Sequence, residues 1–152
     1  MNCSFVAIKE HPWGRGMLSQ LLAAGFKPSL IIEELSEGGG IGRERIGFRI
    51  GTHPLASTMK SQSAEHDIPV VEVPIHNDEH CMEHIEKAAP ELIVFGGTRI
   101  IRGKILEYGE SRGGVLNSHP GLLPECRGSA SPAGSVHENS KIGSSCHICS
   151  TE

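Results

Sequence analysis

The 152-residue chain has no apolar run approaching the ~20 residues that a membrane-crossing helix requires. Its opening residues, M-N-C-S-F-V-A-I-K-E, put no basic segment ahead of their short apolar run, so they do not read as a secretory signal. Basic charge is not in excess either. Fourteen Lys and Arg stand against 18 Asp and Glu, which removes the electrostatic signature of a protein that holds a phosphate backbone or an anionic membrane. These absences lead to the expectation of a cytoplasmic protein with neither a membrane nor a nucleic acid as its partner. Cysteine does not occur as an even, regularly spaced set. Five residues, at 3, 81, 126, 146 and 149, read as reduced thiols rather than as a disulfide framework.

Metal and dinucleotide signatures are also incomplete. The single C-H-I-C at 146–149 has no second pair, and in a strand Cys146 and Cys149 point to opposite faces and cannot chelate one ion. His80 and His84 lie one helical turn apart without a third ligand close in sequence, so no metal is assigned. The run G-G-G-I-G-R-E-R carries Arg45 where a dinucleotide fingerprint needs its third glycine.

What is present is 19 glycines and an alternation of strand-length apolar runs with helix-period segments. The length suits one domain over residues 1–152, enough to bury about 70% of the unfolded surface. The alternation predicts an α/β fold, Rossmann-like, with a mostly parallel sheet and helices on both faces. Strands are expected at 4–9, 29–33, 68–73, 91–95 and 115–117, with a last one over 142–149. Helical spacing of Met17, Leu18, Leu21 and Leu22 predicts the first helix, closed by Gly25, and a short helix is expected within 55–66. Asn77 is a candidate cap for a helix that ends at Pro90, Ile105 and Leu106 suggest another, and Ser131 is the candidate cap of a helix holding Gly134. Residues 36–51, with six glycines, read as a loop. E-L-I-V-F at 91–95, apolar almost throughout, is the candidate for the middle of the sheet.

The chemistry concentrates in G-V-L-N-S-H-P-G-L-L-P-E-C-R-G, residues 114–128. In a strand, Asn117 and His119 share a face, and Pro120 favours extended geometry at the residue before it. Parallel sheets bind ligands beyond the carboxyl ends of their strands, and Gly96-Gly97 breaks the preceding strand at the equivalent end. An imidazole there can exchange protons near neutral pH and an Asn amide can donate to a developing oxyanion, a pair suited to acyl-type transfer. The same spacing equally suits an Asn117 that satisfies a turn and a His119 that satisfies a buried carbonyl, and spacing alone does not separate the readings.

The stretch L-N-S-H-P-G-L-L-P-E-C-R-G-S-A-S-P resembles the signature of the folate-dependent formyltransferases: Asn-x-His, then Leu-Leu-Pro, then Arg-Gly. A-P-E-L-I-V-F-G-G-T-R-I-I is similar to that family's folate-lining strand and loop, and I-G-S-S-C-H-I-C-S-T-E to its strand leading toward a catalytic aspartate. The resemblance implies a 10-formyltetrahydrofolate donor and a primary amine acceptor, with His119 moving protons and Asn117 hydrogen-bonding the tetrahedral intermediate. It assigns Val94, Arg99, Ile100, Ile101 and Leu106, and the backbone around Cys149, Ser150 and Thr151, to the folate pocket.

Three departures from the family follow. The family's aspartate falls about two residues beyond Glu152, so the sequence is expected to be a fragment of a longer protein. The loop I-K-E-H-P-W-G-R-G lacks the phosphate-holding pattern of the purine-pathway enzyme, and Trp13 offers either a stacking surface or a packing anchor. Gly134 weakens its helix by ~1 kcal/mol relative to Ala. An amino-sugar nucleotide or another small amine is the favoured acceptor, whereas tRNA would require further domains. Formyltetrahydrofolate hydrolysis, and a catalytically dead folate- or partner-binding domain, are the alternatives.

Overall fold

The computed structural model describes residues 1–35, 54–128 and 131–151. Its centre is a six-stranded sheet in the order β3-β2-β1-β4-β5-β6. The strands are β1 (Cys3–Ile8), β2 (Leu30–Glu34), β3 (Val70–Val73), β4 (Leu92–Phe95), β5 (Val115–His119) and β6 (Ser145–Cys149). Strands β1 to β5 pair in parallel and β6 runs antiparallel to β5. The strand order reverses between β1 and β4, the topological switch point at which such sheets open a crevice at their carboxyl ends.

Burial follows position in the sheet. All six residues of β1 are buried, as expected of a central strand covered on both faces. Two apolar clusters form the two faces of the core. Phe5, Ala7, Ile31 and Val94 pack with Leu18 and Met59 on one face. On the other, Val6, Ile32, Ile93, Phe95 and Val115 pack with Cys81, Ile85, Ile105 and Leu106.

The helices are held by identifiable caps. Helix α1 (Pro12–Ala23) begins with His11, whose side chain accepts from the Trp13 N–H, and Pro12, whose missing N–H costs nothing in a first turn. Gly25 follows it at φ +82°, the left-handed conformation that glycine supplies without strain. Helix α2 (Met59–Glu65) is capped twice: Thr58 accepts from the Ser61 N–H, and the Glu10 carboxylate accepts from the N–H groups of Met59 and Lys60. Helix α3 (Glu79–Ala88) is capped by Asp78, which accepts from the Cys81 N–H at 2.9 Å.

The expected cap Asn77 is thereby corrected by one residue. Its amide instead donates to the Ile100 carbonyl at 2.8 Å and accepts from the Arg102 N–H at 3.0 Å, joining the start of α3 to the loop after β4. Helix α4 (Lys104–Glu110) and helix α5 (Ser131–His137) complete the set. The expected loop at 36–51 lies outside the described residues. The last strand begins at Ser145 rather than at 142, and its antiparallel course sets its first residues beside the end of β5.

Candidate active site at the carboxyl edge of the sheet

The extended run of β5 persists two residues further than its apolar character alone suggests, through His119. Asn117 and His119 therefore project from one face, the face of Val115. Asn117 is in register with Phe95, the last residue of β4, so the pair stands at the same end of the sheet as Gly96-Gly97. Those glycines are held at the switch point by β1: the Gly96 N–H donates to the Val6 carbonyl at 2.8 Å, and the Ile8 N–H to the Gly97 carbonyl at 3.1 Å. A Cβ on Gly96 would lie 2.0 Å from the Phe5 ring, and one on Gly97, at φ +84°, 2.5 Å from His11. Only glycine lets the chain turn so close to β1.

Each member of the pair is held by a second group. Asn117 lies opposite His147 in the β5–β6 ladder, and its Nδ2 is 3.2 Å from His147 Nε2. His119 Nε2 is 2.8 Å from the Cys126 carbonyl and 2.9 Å from Ser131 Oγ. Both ring systems are partly buried. The loop between β5 and α5 is also folded onto β6, with the Leu123 N–H donating to Ser145 Oγ at 2.9 Å. Trp13, from the first turn of α1, donates its indole N–H to the Ser118 carbonyl at 3.3 Å and stays about one-third exposed.

His147 and the Cys126 carbonyl were not singled out in the sequence, and Ser131 was read there only as a helix cap. An antiparallel sixth strand would have indicated His147, because it brings a second histidine across from Asn117.

The residues assigned to a folate pocket are distributed unevenly. Ile101 and Leu106 belong to one core cluster, against which Cys149 packs, and Ile100 is 71% exposed beside them in sequence. Val94 points into the opposite cluster, among Phe5 and Leu18, so its side chain does not join them. Arg99 Nε lies 2.8 Å from Oε1 of Glu34, a carboxylate 1% exposed at the end of β2. Thr151 donates its N–H and hydroxyl to the Glu110 carboxylate at 2.6 and 3.0 Å, fixing the chain just past β6 to α4, and Ser150 is exposed.

Three of the thiols are held away from the thiolate form by their surroundings. Burial pushes Cys81 up to about 12, helped by the negative charges of Asp78 and Glu34, and burial raises Cys3 and Cys149 as well. Cys146 is exposed while Cys149 packs on the core, the opposed orientation expected of a strand. Among the described residues no group of three His, Cys, Asp or Glu side chains is placed to hold a metal ion.

The fold is thus a doubly wound α/β sheet with an amide and an imidazole at its carboxyl edge. Comparison with known proteins extends this description. No family model matches the chain. Over 75 residues it is 36% identical to the methionyl-tRNA formyltransferase of Chlorobium chlorochromatii, and over 83 residues 35% identical to that of Syntrophus aciditrophicus. These segments make up 49% and 53% of this chain but only 23% and 25% of those relatives.

Among solved structures, glycinamide ribonucleotide transformylase 1 from Symbiobacterium toebii superposes with a TM-score of 0.69 at 16% identity, covering 100% of this chain and 68% of that one. Phosphoribosylglycinamide formyltransferase from Streptococcus pneumoniae gives 0.68 at 16%, covering 99% and 74%. A formyltetrahydrofolate deformylase from Pseudomonas syringae gives 0.65 at 16%, covering 99% and 47%. The chain is thus similar to methionyl-tRNA formyltransferases in sequence over about half its length, and to the transformylase and deformylase structures in fold over nearly all of it.

Proposed function

We propose that this chain is the catalytic N-terminal portion of a cytoplasmic, folate-dependent formyltransferase that moves a formyl group from 10-formyltetrahydrofolate to a primary amine. The observation that carries the reading is the shared face of Asn117 and His119 at the end of β5, beside the diglycine turn of β4, within a stretch that matches the family signature. The donor supplies a formyl group carried on nitrogen. Ile101 and Leu106, in the core cluster against which Cys149 packs, suit the flat apolar face of a pteridine, and exposed Ile100 adjoins Ile101 in sequence.

Each residue then has a defined task. His119 accepts a proton from the attacking amine and returns one to the departing nitrogen, as an imidazole working near neutral pH can. Asn117 Nδ2 carries two hydrogens; one is directed at His147 Nε2, and the second is left for the formyl oxygen as negative charge develops on it. The third polar group that the family resemblance implies, an aspartate, falls beyond the sequence. An amino-sugar nucleotide or another small amine is favoured as acceptor because the R-G-S-A-S-P run resembles relatives other than the purine-pathway enzyme, whose phosphate-holding pattern the segment after β1 lacks.

The test is formyl transfer from 10-formyltetrahydrofolate to a panel of primary amines, using the full-length protein. His119→Ala is expected to lower transfer by at least ~100-fold. Undiminished transfer in that variant would remove His119 from the chemistry. Formate release without an acceptor would make the protein a hydrolase on the same pair, and folate binding without turnover would make it a binding domain.

A further inference from the structure

The contacts around His119 specify which of its two nitrogens is available for proton transfer. A carbonyl oxygen only accepts, so a ring nitrogen 2.8 Å from the Cys126 carbonyl must carry hydrogen for that approach to be favourable. Ser131 Oγ, 2.9 Å from the same nitrogen, could in principle donate to it. Its hydroxyl hydrogen is engaged elsewhere, however, because Ser131 also donates to the Gly128 carbonyl. The Ser131 lone pairs thus face Nε2, and one N–H shared between Oγ and the Cys126 carbonyl satisfies every atom present. The alternative, a bare Nε2, sets a nitrogen lone pair against a carbonyl lone pair in a part-buried site, at the cost of the hydrogen bond. Ser131 is itself 3% exposed, so water does not readily replace it. A Cβ on Gly121 would come within 3.1 Å of Nε2 and 2.6 Å of both the Cys126 carbonyl and Ser131 Cβ, so glycine there lets the loop close over this nitrogen.

We infer that the Cys126 carbonyl and Ser131 lock neutral His119 in the Nε2–H form, that Nδ1 is the nitrogen that takes and returns the proton, and that Ser131 is a positioning residue for it. Among the described residues Nδ1 has no hydrogen-bond partner, as a nitrogen reserved for substrate requires. Which nitrogen of a histidine is basic is set by the bond the other one makes, and here that bond belongs to the loop that carries the Leu-Leu-Pro run. The loop therefore does more than close the cleft: it chooses the reactive edge of the imidazole. The inference rests on the formyltransferase reading only in naming an amine proton as the one transferred.

Nitrogen-15 NMR of the uniformly labelled 152-residue chain tests the tautomer without any assay of activity. The His119 pair is identified by its disappearance in His119→Gln, and the spectrum is read where the ring is neutral. The expected result is a pyrrole-type Nε2 and a pyridine-type Nδ1; the reverse assignment would overturn the inference. In the full-length protein, Ser131→Ala is expected to lower kcat about 10-fold with KM unchanged, as loss of precise orientation does. Ser131→Thr, which keeps the hydroxyl, is expected to restore it. Full kcat in Ser131→Ala would remove Ser131 from the inference. A wild-type chain with the expected tautomer but no formyl transfer would count against the proposed function and leave the tautomer assignment standing.

Discussion

At the scale of single residues, the site depends on hydrogen bonds that assign direction. The role proposed for Asn117 requires its NH2 group, and not its carbonyl, to face the reacting oxygen, and an isolated amide can turn either way. His147 Nε2 at 3.2 Å removes that freedom by accepting one of the two hydrogens. Asn117→Ala is accordingly expected to cost ~10²–10³-fold in kcat, the range for deleting one oxyanion donor. His147→Ala, which keeps the amide but frees its orientation, should lose much less, about 10-fold, and a steady-state comparison of the two variants checks the ranking. A different residue, Glu33, shows a cost carried by the fold. It is 4% exposed, and burial raises its carboxyl above the usual range, although the Glu10 N–H partly offsets this. A carboxyl raised in the folded state binds its proton more tightly there than in the unfolded chain. Its contribution to stability is therefore fully present below the unfolded value and is lost as pH rises through the folded one. Glu33→Gln is expected to raise the urea midpoint at neutral pH, with the gain vanishing in acid; a gain independent of pH would show that charge is not the cause.

At the scale of elements, α1 and the turn after β4 are spaced by glycine. A Cβ added at Gly14 would lie 2.3 Å from the Gly96 carbonyl oxygen, a backbone atom that cannot step aside, whereas one at Gly16 in the same helix meets nothing within 4 Å. Helix propensity favours alanine at both positions by about 0.5–1 kcal/mol. Gly16→Ala should gain roughly that amount, while Gly14→Ala should lose about 1–3 kcal/mol through overpacking, measured by urea unfolding. Equal effects would mean that α1 does not approach the turn as closely as described. The same contrast explains what could be read from the sequence. Strand and helix periodicity exposed β4, the first helix and the shared face of Asn117 and His119, because local pattern encodes them. It could not tell Gly14 from Gly16, and it placed the cap of α3 at Asn77 because Asn and Asp cap equally well. The pairing partner of Asn117 was hidden for a related reason: antiparallel register is a long-range property, and nothing local to C-H-I-C distinguishes a ladder partner from a core residue.

At the scale of the whole molecule, the two halves of the sheet are joined at the carboxyl edge by one buried charge. Glu34, at the end of β2, accepts from the His76 backbone N–H at 2.9 Å and holds Arg99 Nε at 2.8 Å. The His76 ring, fully buried, brings Nδ1 to 3.1 Å from the same carboxylate without the alignment of a hydrogen bond. One carboxylate thus ties β2, the connection from β3 to α3, and the loop after β4 that leads into Ile100 and Ile101. Burying a carboxylate is costly, and it is tolerated here because a guanidinium and an N–H share its charge. Removing it leaves the histidine buried and the arginine without this carboxylate. Glu34→Ala is therefore expected to destabilise the fold by about 3 kcal/mol, the low end for a broken buried pair because Arg99 keeps 37% of its side chain in solvent. Glu34→Gln, which retains an acceptor for the His76 N–H, should lose less. In a double-mutant cycle with Arg99→Met the two changes should fail to add, since each removes the other's partner. Additive losses in urea unfolding would show that the end of β2 and the loop after β4 are held independently of each other.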